Sequence, residues 1–227
     1  MKYKTLLFDV DDTLLDFQAT QAWALTQLFG ELGIELTTEM RARYHIVNQQ
    51  LWSDFEQGQL SRKELTDTRF GLFFSQLGMT VDSLALDKSY RNYLKQGHHL
   101  LGNSQQIITD LARKADLYVV TNGGTTTQYQ RLKDAQLLPY FQDIFVSEAT
   151  GYQKPMKEYF EYVFARIPNF NPQETVIIGD SLVSDIQGGN AAGIATIWLN
   201  NASQKTTAIE PTYQICKLDE IYEILSG

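Results

Sequence analysis

The chain contains a single cysteine, Cys216, in 227 residues. One thiol excludes an internal disulfide and points to a reducing compartment. Positive charge is scarce: 19 lysines and arginines face 27 aspartates and glutamates, a formal net charge of −8. No basic block occurs, which argues against a nucleic-acid polymer or an anionic membrane as partner. No apolar run approaches the roughly 20 residues that a membrane-spanning helix needs. The opening MKYKTLLFDVDD has only Leu6, Leu7 and Phe8 as an apolar core before its first acid, too short for a signal peptide. A soluble cytoplasmic protein is therefore expected. Internal repeats and low-complexity tracts are lacking as well. The chain is not short of core material, however: 43% of it is hydrophobic and 12% aromatic. That composition argues against disorder, and the length suits one large domain or one domain with an insertion.

The first apolar run ends in acids. LLFDVDDTLLD carries Asp9, Asp11 and Asp12, with Asp16 closing it. Burying carboxylates costs several kcal/mol unless they are paired or hold a metal. If residues 5 to 11 are extended, Asp9 and Asp11 share one strand face, about 7 Å apart. Two like charges so placed call for a cation.

Beyond this run the chain has two textures. Residues 16 to 97 read as helical, with candidates at 20–32, 38–55, 61–77 and 82–96. Ser61 and Glu64 fit a capping box at the third. Gly33, Gly58 and Gly78 punctuate the gaps. From about residue 103, helices alternate with strands. Helices are expected at 104–114, 126–135, 157–166, 185–192 and 219–225. Strands are expected at 117–121, 143–146, 175–179 and 195–199, with a possible edge strand at 213–215. Such alternation implies right-handed crossovers and a parallel sheet. The strand at 5–10 belongs with this half. The expected architecture is an α/β, Rossmann-like parallel core of residues 1–15 and 98–227, with an inserted helical cap of residues 16–97.

Ligands of such sheets bind beyond the carboxyl ends of the strands. Polar residues stand there: Asp9 and Asp11 after the first strand, Thr121, Asn122 and Gly123 after LYVVT, and Asp180 after TVIIG, with Asp185 nearby. Lys154 and Pro155 precede another helix. Taken singly, each has a bland explanation. Asp9 and Asp11 could be turn residues, Thr-Asn-Gly a helix start, Lys154 a solvated loop lysine, and Asp180 or Asp185 a helix cap. Jointly, four such coincidences at one sheet edge are improbable.

Together these residues resemble the haloacid dehalogenase superfamily of phosphatases. FDVDDTLLD resembles its DxDxT signature, VVTNG its second motif, the lysine of KP its third and GDSLVSD its fourth. The resemblance covers the core from residue 1 to about 200, and the helical insertion matches the subgroup with an α-helical cap. It implies Asp9 as nucleophile, forming an aspartyl-phosphate, and Asp11 as general acid and then base. It implies Mg²⁺ held by Asp9, the Asp11 backbone, Asp180 and Asp185. Phosphate oxygens would be taken by Thr121, Asn122 and Gly123, and Lys154 would neutralise both phosphate and Asp9. Aspartate at position 11 argues against a true dehalogenase, whose halide displacement needs no acid there. Asp12 stands where glycine is commoner.

The insertion carries Phe17, Trp23, Phe29, Tyr44, Trp52, Phe55, Phe70, Phe73 and Phe74. At helical spacing most of these are expected in a bundle core. Asn48, Trp52 and Arg69 are the candidates for substrate contact. His45, His98 and His99 show no partner pattern and read as surface residues. LWSDFEQGQLSRKELTDTRF resembles the cap of the pyrimidine 5′-nucleotidase branch, which implies a small phosphate ester, a nucleoside monophosphate, as substrate. The four motifs also fit a phosphatase of phosphoglycolate or of a sugar phosphate, and a sugar-phosphate mutase. A non-catalytic relative would show degraded acids, and every expected acid is here.

Overall fold

The computed structural model describes residues 1–201 and 208–226. Residues 202–207 and 227 of the expected core range lie outside the described residues. The chain divides into two compact units: Met1–Phe17 with His98–Gly227, and Gln18–Gly97.

The first unit is an α/β layer structure around six parallel strands in the order β3-β2-β1-β4-β5-β6. These are β1 (Thr5–Phe8), β2 (Asp116–Thr121), β3 (Asp143–Val146), β4 (Thr175–Gly179), β5 (Ala195–Leu199) and β6 (Tyr213–Ile215). Side chains alternate across a strand, and here both faces are apolar. Leu6 and Phe8 of β1, Leu117 and Val119 of β2, and Val176 and Ile178 of β4 pack on one side. Leu7, Tyr118, Val120 and Ile177 pack on the other. A parallel sheet covered on both faces requires such continuous apolar runs. Helices α5 (Ser104–Leu111), α6 (Thr125–Asp134), the single turn α7 (Ser147–Thr150), α8 (Lys157–Phe164), α9 (Gly188–Ala191) and α10 (Ile221–Ser226) belong to this unit.

Phe8 aligns with Val119 on one side and Ile178 on the other, so β1, β2 and β4 end side by side. The chain runs outward from β1 through β2 to β3, then crosses back to β4 on the other side of β1, which makes β1–β4 the switch point where such folds leave a crevice.

The second unit contains α2 (Thr38–Glu56), α3 (Arg62–Ser75) and α4 (Ser83–Leu94), with most of α1 (Phe17–Glu31). The expected capping box is present: Glu64 N–H donates to Ser61 Oγ at 3.2 Å, and Ser61 N–H to Glu64 Oε2 at 2.8 Å. Phe29, Tyr44, Phe55, Phe70, Phe73 and Phe74 are buried in this bundle, with Phe29 and Phe74 stacked at 5.6 Å and Tyr44 and Phe70 at 5.5 Å. Trp23 stays part-exposed. His98 and His99 are exposed and His45 is half-buried.

Candidate active site

The site begins where β1 stops. Asp9 N–H adds one more ladder bond, to Ile178 O at 2.9 Å. The backbone then turns instead of extending to Asp11. Leu14 and Leu15 N–H both donate to Val10 O, at 2.9 and 3.0 Å, and Asp12 adopts φ 54°. Aspartate tolerates this left-handed conformation better than most residues. Asp12 Oδ1 also accepts the Phe17 N–H at 2.9 Å, at the start of α1. The expected shared strand face of Asp9 and Asp11 is therefore corrected. Turn hydrogen bonds outcompete further sheet pairing, and the Asp11 carboxylate instead meets Gln128 and Arg131 of α6.

Asp9 faces Lys154. The Lys154 ammonium donates to Asp9 Oδ1 at 2.8 Å, to Asp185 Oδ1 at 2.6 Å and to Val120 O at 2.7 Å. All three ammonium protons are thus engaged. The Lys154 backbone is gripped by one side chain at the end of β2: Asn122 Nδ2 donates to Lys154 O and Asn122 Oδ1 accepts Lys154 N–H, both at 2.9 Å. Lys154 is 1% exposed, so it is no solvated loop lysine.

Asp185 was expected to open a helix. It lies instead in the first turn of a π-helical stretch, Leu182–Gln187, that leads into α9. Ile186 N–H donates to Ser181 O at 3.2 Å, the wider i to i+5 closure. Asp185 Oδ2 accepts the Ser181 N–H at 3.1 Å. That fold-back needs the glycine at the end of β4: a Cβ on Gly179 would lie 2.1 Å from Asp185 Oδ2. Asp180 is held at its backbone, where its carbonyl accepts the Trp198 indole N–H at 2.8 Å.

Charge balance sets the character of the site. Carboxylate oxygens of Asp9, Asp180 and Asp185 lie within 4.8 Å of one another. Among the described residues, Lys154 is the one that offsets them by ion pairing, to Asp9 and Asp185. Burial pushes the Asp9 carboxyl up to about 7; Lys154 pulls it down, while Asp185 and Asp11 push it further up. Burial also holds Asp180 well above the usual carboxylate range, reinforced by Asp9, Asp185 and Asp12. Lys154 would be lowered by its own burial, but Asp185 and Asp9 raise it beyond an ordinary lysine. Three desolvated acids around one ammonium form a site short of positive charge. An all-oxygen donor set fits a hard divalent cation such as Mg²⁺.

The residues expected at strand ends converge here. Thr121 is buried and its Oγ1 accepts the Gly123 N–H at 3.1 Å. Asn122 is committed to Lys154. Sequence reasoning missed Gln128, Arg131 and Trp198. Gln128 and Arg131 stand one helical turn apart just beyond TNGG, but no local pattern connects them to a carboxylate 120 residues earlier.

The three substrate candidates of the helical unit separate. Arg69 pairs with Asp87 and donates to Asn48 Oδ1 at 3.2 Å, with its guanidinium 4.7 Å from the Tyr90 ring. Both Arg69 and Asn48 are buried. Arg69 Nη1 and Nη2 and Asn48 Oδ1 bond inside the bundle, which corrects the expectation that the two residues are set out for substrate; Arg69 Nε is buried with no hydrogen-bond partner among the described residues. Trp52 is half-buried, edge-on to Phe55 at 5.6 Å and with the Arg62 guanidinium 5.7 Å from its ring.

A family model of the haloacid dehalogenase-like hydrolases matches residues 3–193. The chain is 51% identical to the HAD-hydrolase YfnB of Bacillus subtilis (strain 168), over 99% of this chain and 96% of that one. A crystal structure of YfnB bound to magnesium, which reveals interdomain movement, superposes with a TM-score of 0.96 at 50% identity over 100% of both chains. The pyrimidine 5′-nucleotidase PynA of Streptococcus pneumoniae (strain ATCC BAA-255 / R6) is 40% identical over 99% of this chain and 96% of its own. The pyrimidine 5′-nucleotidase YjjG of Escherichia coli (strain K12) is 29% identical over 99% of both. None of the described helices is long and apolar enough to cross a membrane.

Proposed function

The chain belongs to the haloacid dehalogenase-like hydrolase family, and on that premise we propose that it is a magnesium-dependent phosphomonoesterase that prefers pyrimidine nucleoside 5′-monophosphates. The observation that carries the chemistry is the Lys154 ammonium between Asp9 and Asp185, in a cluster that holds one carboxylate more. The nucleotide preference rests on similarity to relatives named as pyrimidine 5′-nucleotidases.

Asp9 attacks phosphorus. The bond to the leaving oxygen breaks as Asp11 delivers a proton to it, and an aspartyl-phosphate remains. Asp11 then takes a proton from water, which attacks the phosphoryl group, releasing phosphate and restoring Asp9. Splitting one displacement into two easier ones is the advantage of a covalent route. Lys154 orients Asp9 and balances charge that grows on the phosphoryl oxygens. Thr121 and the N–H groups of Asn122 and Gly123 bind those oxygens, the Gly123 N–H being shared between phosphate and Thr121 Oγ1. Asp9, Asp180, Asp185 and the Asp11 carbonyl would hold Mg²⁺, which when bound neutralises the surplus carboxylate charge and polarises the phosphoryl group. The core touches only phosphate and leaving oxygen, so discrimination among esters falls to the helical unit, with Trp52 the residue proposed to meet the base.

The reading is tested by a panel of phosphomonoesters with Mg²⁺, reading free phosphate, against a chelator control. Pyrimidine nucleoside 5′-monophosphates, deoxy forms included, are expected to give the highest kcat/KM, with chelator abolishing release and Mg²⁺ restoring it. Phosphoglycolate or a hexose phosphate in first place would reject the nucleotide assignment alone. Full activity in excess chelator would reject the metal.

A further inference from the structure

Helix α6 starts immediately after Thr121-Asn122-Gly123-Gly124. Gln128 and Arg131 lie three residues apart on it and so share a face. Each is 1% exposed. Arg131 Nη1 pairs with Asp11 Oδ1 and donates to Gln128 Oε1 at 2.9 Å. Gln128 Nε2 donates to Asp11 Oδ2 at 2.8 Å and to Thr121 Oγ1 at 3.0 Å. Both oxygens of the Asp11 carboxylate are therefore held by neighbouring donors of one rigid helix.

The order of these bonds removes the usual ambiguity of a side-chain amide. A guanidinium has only donors. The carbonyl end of Gln128 must face Arg131, so its NH₂ end must face Asp11 and Thr121. The Thr121 hydroxyl oxygen then accepts twice, from Gln128 Nε2 and from the Gly123 N–H. With both lone pairs occupied, its own proton must point elsewhere, as a donor. Gly123 makes room for this arrangement: a Cβ there would lie 2.4 Å from Gln128 Nε2. Arg131 is also anchored from behind, its guanidinium 5.6 Å from the Phe17 ring.

A guanidinium this deeply buried is costly, and an apolar side chain of similar volume would commonly serve stability as well or better. The placement is also one-sided. The arginine end of the pair is 1% exposed, while the Asp11 side chain is 28% exposed. The buried partner thus presents the other beyond the carboxyl end of β1.

We infer that Gln128 and Arg131 are positioning residues: they aim the Asp11 carboxylate at the leaving oxygen and the Thr121 hydroxyl proton at the phosphate. One helix face thereby ties acid–base transfer to phosphate binding. The inference rests on the role of Asp11 given above.

The test compares Arg131→Met, Arg131→Lys and Gln128→Ala with Asp11→Asn, on thymidine 5′-monophosphate and 4-nitrophenyl phosphate. The nitrophenolate leaves without help from an acid; the nucleoside alkoxide does not. Misplacing a reacting group by about 1 Å can cost roughly 100-fold. Because Asp11 also activates the water that cleaves the aspartyl-phosphate, a step both esters share, the split is read in kcat/KM, which reports the steps up to departure of the leaving group: Arg131→Met and Gln128→Ala are expected to lower it about 10- to 100-fold on the nucleotide and about threefold or less on the aryl ester. Arg131→Lys should recover part of the loss, and Gln128→Ala should also raise KM for both esters. Equal losses of kcat/KM on both esters, or none, in the Gln128 and Arg131 variants would overturn the inference while Asp11→Asn still showed the split. If Asp11→Asn showed no split either, the role of Asp11 and this inference would fall together. Should Arg131→Met not fold, Gln128→Ala and Arg131→Lys decide by the same readouts.

Discussion

Each unit of the molecule buries a cation against carboxylate, and the two burials differ in sign. In the helical unit, Asp87 lies between Arg69 and Arg91, the latter through Nε at 2.7 Å. One carboxylate answers two guanidinium groups, and Asn48 and the Tyr90 ring complete the shell around Arg69. In the α/β unit, one ammonium answers a cluster of three carboxylates. In the first group the buried charges, Arg69 and Asp87, pair directly inside a bundle, and the second arginine, Arg91, reaches solvent. The second is open, because its acids outnumber their cation and crowd at strand ends. Buried charge alone therefore does not mark a functional site; a surplus of carboxylates around one ammonium at strand ends calls for a further cation.

The comparison breaks most sharply at Asp9, the proposed nucleophile. Asp9→Asn keeps the shape but removes the attacking oxygen. Turnover should fall by about 1,000-fold or more, since covalent catalysis is worth several kcal/mol, with the melting temperature held or raised as one surplus charge disappears. Retention of activity within about tenfold of wild type would refute the assignment of Asp9.

Asp87→Asn should do the opposite. It strands the buried Arg69, and breaking a buried pair costs about 3–5 kcal/mol. At about 2–4 °C per kcal/mol for a chain of this size, the melting temperature should drop by roughly 10 °C. The kcat of the folded fraction should stay within about threefold of wild type. A large kcat loss with an unchanged melting temperature would make the Arg69 group part of the site after all.

The surplus of acid should also be visible without substrate. The Asp9 carboxyl titrates near 7 in the folded chain against 3.8 as its ordinary value. Between these, the folded state holds a proton that the unfolded state has released, so stability falls as pH rises through that window. Without metal the melting temperature should therefore be higher near pH 5 than near pH 8. Added Mg²⁺ should raise it at pH 8, through a stabilisation of about 2.7 kcal/mol at 100 times Kd, and Asp180→Asn should blunt that response. No Mg²⁺ effect on melting at pH 8 would count against the cluster as a cation site.

The smallest effect concerns the base. A stacked base is worth about 1–3 kcal/mol. Trp52→Ala should narrow the preference for pyrimidine nucleotides over an aryl phosphate by that amount in kcat/KM. An equal loss on all substrates would return Trp52 to the packing of the bundle.

How much was legible follows the range of the interactions. The strands 143–146, 175–179, 195–199 and 213–215 were read with the bounds observed, because double-sided burial writes itself as local apolar runs. The capping box at Ser61 was read because its bonds span three residues. Errors fall where long-range pairing decides. The strand that was to carry Asp9 and Asp11 on one face stops at Phe8, and the helix that was to begin at Asp185 begins earlier, wound as π. Asn48 and Arg69 looked exposed to substrate because their partner Asp87 lies 18 residues beyond Arg69.

The sequence by itself determined the parallel α/β class, the helical texture between the first and second motifs and the gathering of acids at strand ends. Each is a matter of residue type and short periodicity, and the short-range forces that set them act before any tertiary contact. Only the tertiary structure decided which charges balance. It brought Lys154 to Asp9 across 145 residues and Arg131 to Asp11 across 120, and it enclosed Arg69 with Asp87. Coulomb energy and desolvation depend on distance and burial in space, and neither quantity is carried by position along the chain.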